Sequence, residues 1–121
     1  MKTYRKSARY RVQPSFPLLA SIKQSRGKTY KLISLGAGGF GFYSSGRDAE
    51  LAKLENVDVA LVLGDRKYEL KGSITYCTFV RRESGFANYF GLKFQDMDPK
   101  VESLLRLLIE NGVQKGHLVP A

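Results

Sequence analysis

Residues 35–46 read LGAGGFGFYSSG, five glycines in twelve positions, with a GxGxxG spacing from Gly36 to Gly41. In a dinucleotide-binding protein that spacing follows a strand and opens a helix. The helix N-terminus then holds a pyrophosphate through its dipole and its free N–H groups. Here the glycines are followed by FGFYSS, aromatic and small residues that form helices poorly and alternate with the period of a strand. No parallel βαβ pattern comes after them. A kinase-type glycine loop does join two strands, but it belongs with HRD and DFG runs that this short chain lacks. The remaining reading is a glycine-rich turn joining two strands, at positions whose positive φ calls for a residue without a side chain. The glycine run therefore points to a β fold.

Working outward, short strand-like segments lie on both sides. PLLASIK (17–23) is apolar and ends at the turn signal Ser25-Arg26-Gly27, and TYKLIS (29–34) alternates polar and apolar. FGFYSS (40–45) follows the glycines. VDVALVL (57–63) ends at the Gly64-Asp65 turn and leads into YELKGSITYCTFV (68–80), a strand long enough to bend at Gly72. YFGLKF (89–94) is the last. Such spacing, with turns between, predicts an all-β barrel or sandwich. The period then changes. DMDPKVESLLRLLIENG offers Asp98 as N-cap, Pro99 at the first helical position and Gly112 just past the end. Val101, Leu104, Leu105 and Leu108 share one face of this helix and are expected in the core or across a barrel mouth.

A chain of 121 residues suits one domain. The net charge of +9 is concentrated at the start, where Lys2, Arg5, Lys6, Arg9 and Arg11 occur without an acid. Such a block attracts phosphate groups, whether of nucleic acid, anionic lipid or a small molecule. No apolar run is long enough to span a bilayer, and the basic start lacks the apolar stretch of a secretory signal. A single cysteine, Cys77, allows no internal disulfide, so a cytoplasmic setting is expected. Cys77 and most of the seven tyrosines read as packing. His117 sits in a GHLVPA tail expected to fray, without partners for metal or catalysis. Asp96 and Asp98 suit the helix dipole. Nothing forms a catalytic or metal-binding constellation, so no enzyme activity and no cofactor are expected.

The arginine pair in RKSAR, Arg5 and Arg9, stands four residues apart and ahead of the glycine turn. Followed by an all-β pattern, the GLKF strand (91–94) and a terminal helix, it resembles the PilZ domain family over nearly the whole chain. Members of that bacterial family carry RxxxR near the N-terminus and [D/N]xSxxG at a later strand turn, and with these they clamp cyclic di-GMP. The resemblance implies a mainly β protein, a six-stranded antiparallel barrel with a C-terminal α-helix. It divides the chain into a flexible basic arm (1–12), barrel plus helix (13–112) and a tail (113–121).

The resemblance also implies a ligand and a site. SLGAGGFGF (34–42) takes the place of the second motif, with Gly39 as its final glycine, Ser34 where the family prefers Asp or Asn, and Gly36 where it has Ser. A register two residues away makes Ser34 the motif serine but puts Leu32 and Ala37 at the other positions and loses the GFGF match. The first register is preferred, and the motif is degenerate in both. The implied ligand-binding residues are Arg5, Arg9, Ser34, Gly36 and Gly39, with Lys6, Arg11 and Tyr10 as accessories. Arg11 offers a second register for the arginines, and Tyr10 could stack on a base. A guanidinium presents a two-pronged fork to a phosphate, or to guanine O6 and N7. Returning Asp to 34 and Ser to 36 is expected to tighten binding. The implied function is a receptor or adaptor whose arm orders on cyclic di-GMP and which signals through an unidentified protein partner. Two alternatives are an adaptor of this fold that has lost the ligand and a single-strand nucleic-acid binder.

Overall fold

The computed structural model describes residues 8–26, 28–45, 51, 54–83 and 85–121. Arg5 and Lys6 lie outside the described residues. The strands are β1 (Arg9–Val12), β2 (Leu18–Ile22), β3 (Thr29–Gly36), β4 (Gly39–Ser45), β5 (Val57–Leu63), β6 (Arg66–Arg82), β7 (Gly85–Gln95) and β8 (Leu118–Pro120). One helix, α1 (Pro99–Gln114), precedes β8.

Strands β2, β5, β6, β7, β4 and β3 lie side by side, and β3 pairs back onto β2. All pairings are antiparallel, so the six close into a barrel. Closure leaves the ring without open sheet edges. One edge of β3 is used twice. Its Thr29–Lys31 part pairs with β2, and its Ser34–Gly36 part pairs with β1. Strand β8 then adds to the outer side of β1.

Alternation places the core. In β3 and β4, Leu35, Phe40 and Phe42 point inward and are fully buried, as are Phe90 and Leu92 of β7. The Phe42 ring stacks on Phe90 at 5.4 Å between centroids and meets Tyr30 at 4.8 Å and Phe40 at 5.8 Å. Large rings in contact of this kind dominate core energetics, each burying roughly 150–250 Å².

Strand β6 is longer than its neighbour β5. Arg66–Gly72 pair with β5, and Lys71–Arg82 pair with β7. The break in register falls between Ile74 and Tyr76, two residues beyond the expected bend at Gly72. Gly72 has a packing reason instead, since a Cβ there would sit 2.5 Å from Leu92 Cδ2. Past the break the β6–β7 ribbon stands clear of β5. Cys77 is accordingly exposed, against the expectation of a buried filler. Phe79 and Phe86 stack at 5.0 Å while largely exposed.

The helix begins as the sequence indicates, with the Asp98 side chain accepting from Lys100 N at 2.8 Å and Pro99 in the first turn. Its end is corrected. Gly112 is inside the helix, pressed against Leu118 of β8, and the stop is Gly116 at φ 77°. His117 N donates to Gly112 O (2.8 Å) and Gly116 N to Val113 O (3.2 Å), the paired bonds of a Schellman end. The buried stripe is also corrected, to Leu105, Leu108, Ile109 and Gly112, with Leu104 exposed and Val101 only partly buried. The residues read as a fraying tail form β8, and His117 stacks on Phe16 at 4.6 Å with the rings 3° from parallel. Arg9–Val12, read as the end of the arm, are paired on both sides, to β3 and to β8.

Candidate functional site

The residues that alternate with the buried aromatics point to the outer face of the barrel. Cross-strand partners share a face of a sheet. One row across four strands is therefore Arg11, Ser34, Gly41 and Gly91, and it continues to Tyr76 on β6. The next row is Arg9, Gly36, Gly39, Lys93 and Ser73. The glycine run thus lies on the outside of the same strands whose other face carries Leu35, Phe40 and Phe42, a shelf in which Gly36, Gly39 and Gly41 are themselves buried under close neighbours.

Against the expectation of positive-φ positions, none of Gly36, Gly38, Gly39 and Gly41 has a positive φ, and Gly36, Gly39 and Gly41 each admit something close instead. Over Gly36 lie Ala8 O and the Arg9 stem, at 2.6 Å and 3.3 Å from where a Cβ would stand. The absence of a side chain lets β1 settle flat there, and the Arg9 guanidinium reaches Ser34, Nη1 donating to Oγ at 3.3 Å. At Gly39 a Cβ would run into the Leu92 carbonyl oxygen at 2.0 Å, so only glycine permits the approach of β4 to β7. Over Gly41 lie the Tyr89 hydroxyl and Ser34 Oγ, 2.1 Å and 2.8 Å from the Cβ position. The expectation that Ser at 36 would tighten binding is therefore withdrawn. Its Cβ would meet the Ala8 carbonyl and push the start of β1, with Arg9, off the shelf.

Of the residues read from sequence, Arg9, Ser34 and Gly36 come together, Gly39 is Gly36's direct partner in the hairpin, and Arg11 stands opposite Ser34, exposed. Tyr10 does not join them. It pairs with Leu35 and packs against the core, on the other face of β1 from Arg9. Arg5 and Lys6 lie outside the described residues.

Sequence reasoning missed the far wall of the shelf. Tyr89 stands beside Gly41, Tyr43 meets it edge-on at 5.3 Å and Tyr76 at 6.0 Å. Arg82 lies over the Tyr43 ring at 3.9 Å, a cation–π contact. Lys93, opposite Gly39, adds a cation on that side. Composition reads the tyrosines as packing; the signal that places Tyr43 and Tyr89 outside the barrel is their alternation with the buried Phe42 and Phe90. Cationic side chains on both flanks of the glycine rows, with aromatic rings at one end, form a surface suited to an anionic ligand that carries flat rings.

A cavity of about 630 Å³ lies elsewhere, lined by Asp58, Glu69, Asp96 and Asp98 with Lys23 and Lys71 among others. Its carboxylates repel an anion, so the shelf is the better candidate. Among the described residues no group of His, Cys, Asp and Glu is placed to hold a metal ion. Among them, too, no helix is long and apolar enough to cross a membrane.

Comparison with solved structures finds the same fold in proteins of low identity. MrkH of K. pneumonia, solved as a cyclic di-GMP complex, superposes with a TM-score of 0.81 at 8% identity. That match covers 95% of this chain and 55% of MrkH. The PilZ domain of Escherichia coli YcgR, solved with cyclic di-GMP, gives 0.75 at 17% identity and covers 94% of this chain and 95% of that one. The Bacillus subtilis inhibitor of motility MotI gives 0.62 at 14%, covering 94% of this chain and 53% of its own. The chain thus spans about half the length of MrkH and MotI and nearly all of the isolated YcgR domain. No curated protein matches it by sequence. The model of the PilZ domain matches residues 3–111, and with that match over most of its length the chain belongs to the PilZ domain family.

Proposed function

We propose that the chain is a cyclic di-GMP receptor that acts as an adaptor. The carrying observation is Arg9, laid along Gly36 with its guanidinium on Ser34, at the edge of a glycine shelf flanked by further cations. Family membership and the cyclic di-GMP complexes of MrkH and YcgR support the choice of ligand. In this reading Arg9 and Arg5 fork the phosphates or a guanine edge, Ser34 shares hydrogen bonds with the base, and Gly36 and Gly39, themselves covered, let β1 and β7 pack close enough to hold Arg9 and Lys93 beside the ligand. Arg11 and Lys6 add attraction. The part of the arm that precedes β1 closes over the ligand, and the new surface is read by a partner protein in the cytoplasm.

A second reading has one observation in its favour: Ser34 and Gly36 lack the acid or amide and the hydroxyl of the family's motif. Each missing bond costs on the order of 1 kcal/mol or more, so two would weaken binding about tenfold to a hundredfold. On that reading the chain is an adaptor without ligand. Titration calorimetry with cyclic di-GMP, against GTP and cyclic di-AMP, separates the two. Saturable heat with cyclic di-GMP alone supports the receptor; absence of heat at high micromolar protein supports the ligand-free adaptor.

A further inference from the structure

Helix α1 carries more leucine than its contact with the barrel uses. Leu104 and Leu107 stand beside the buried stripe at 48% and 55% exposure. With Leu63 at the end of β5 and Phe16 ahead of β2, they wall a groove of about 230 Å³ between the helix and the β5–β6 turn. Arg66 and Lys115 line the same groove, and among the described residues that line it there is no carboxylate. The shelf and its ligand play no part in this surface.

We propose that this groove docks an acidic amphipathic segment of a partner protein. Aliphatic side chains of the partner fill the space between Leu104, Leu107 and Leu63, and its carboxylates meet Arg66 and Lys115. Concave apolar walls with a charged rim are the usual receptor for an amphipathic helix. The other occupants fit less well. A second copy docking face to face would bring Arg66 and Lys115 toward their own equivalents, like charge against like. A bilayer surface is too broad to enter the groove, and nucleic acid has no aliphatic groups with which to fill leucine walls.

The test uses the full chain and a labelled synthetic peptide of about five helical turns, with Leu at i, i+3, i+4 and i+7 and Glu on both flanks of that stripe. Fluorescence anisotropy is expected to show saturable binding that falls tenfold or more with Leu107→Glu and with the pair Arg66→Glu and Lys115→Glu. The same peptide with Lys in place of Glu is expected not to bind. Thermal melts check that each variant is folded, and Leu107→Ser replaces Leu107→Glu should the latter unfold. Three results overturn the proposal: no saturable binding, equal binding of the lysine peptide, or binding indifferent to folded variants at 107. A concentration-dependent dimer that Leu107→Glu dissociates also overturns it, because the occupant would then be a second copy.

Discussion

The two faces of the β3–β4 hairpin are built from neighbouring residues and follow opposite rules. Inward, Leu35, Phe40 and Phe42 fill the barrel with large side chains at full burial. Outward, Gly36, Gly39 and Gly41 remove side chains altogether, so that Ala8, the Leu92 carbonyl and Tyr89 come close. One stretch of sequence thus fills the core with its even-numbered phenylalanines and brings neighbouring chain close through its glycines. A pattern that looks like a phosphate loop in one dimension is, in a strand of period two, a packed wall whose reverse side lets neighbouring chain come close.

The contrast can be broken by substitutions on each face. Phe42→Ala, at the centre of the aromatic cluster, is expected to cost about 3–5 kcal/mol in chemical denaturation, since it loses burial and leaves a cavity. Arg9→Ala is expected to reduce cyclic di-GMP binding by roughly 1.5–3 kcal/mol or more in calorimetry, the worth of a charge-assisted bond. The unliganded protein should melt almost unchanged, because the structure gives this half-exposed side chain one long hydrogen bond. A large fall in melting temperature would instead make Arg9 structural. Gly39→Ala is expected to destabilise by about 1–3 kcal/mol, because its methyl meets backbone of β7 that cannot turn aside. Gly41→Ala meets side chains rather than backbone, the Tyr89 hydroxyl and ring Cζ and Ser34 Oγ, so the Tyr89 ring has to swing aside. It should stay within about 0.5 kcal/mol of the parent in denaturation and show its effect as a shifted Tyr89 ring signal in NMR.

Much of this architecture is legible from residues alone, and the misses share a cause. The six barrel strands have enough apolar alternation to be read singly. Strands β1 and β8 span four and three residues, too short for any period, and exist because β1 pairs with β3 and β8 pairs with β1. The helix end was misplaced because Gly112 and Gly116 carry the same local signal. What decides between them is the packing of Leu118 on Gly112, a contact six residues away in sequence. TYCTFV reads as a core strand by composition, yet β6 outruns β5 there, so Cys77 and Phe79 face solvent. Arg9, Ser34, Gly36 and Gly39 could be read from motif spacing. Tyr89, Lys93 and Arg82 could not, because their place beside the shelf depends on strand register.

The most direct test of the shelf as the ligand site is a titration of cyclic di-GMP followed by backbone amide shifts in two-dimensional NMR. The account predicts saturating shifts at Arg9, Ser34 and residues 36–41, with Leu104 and Leu107 unmoved and the response lost in Arg9→Ala. Shifts centred instead on the acidic cavity around Asp58 and Asp96, or none at all, would contradict it.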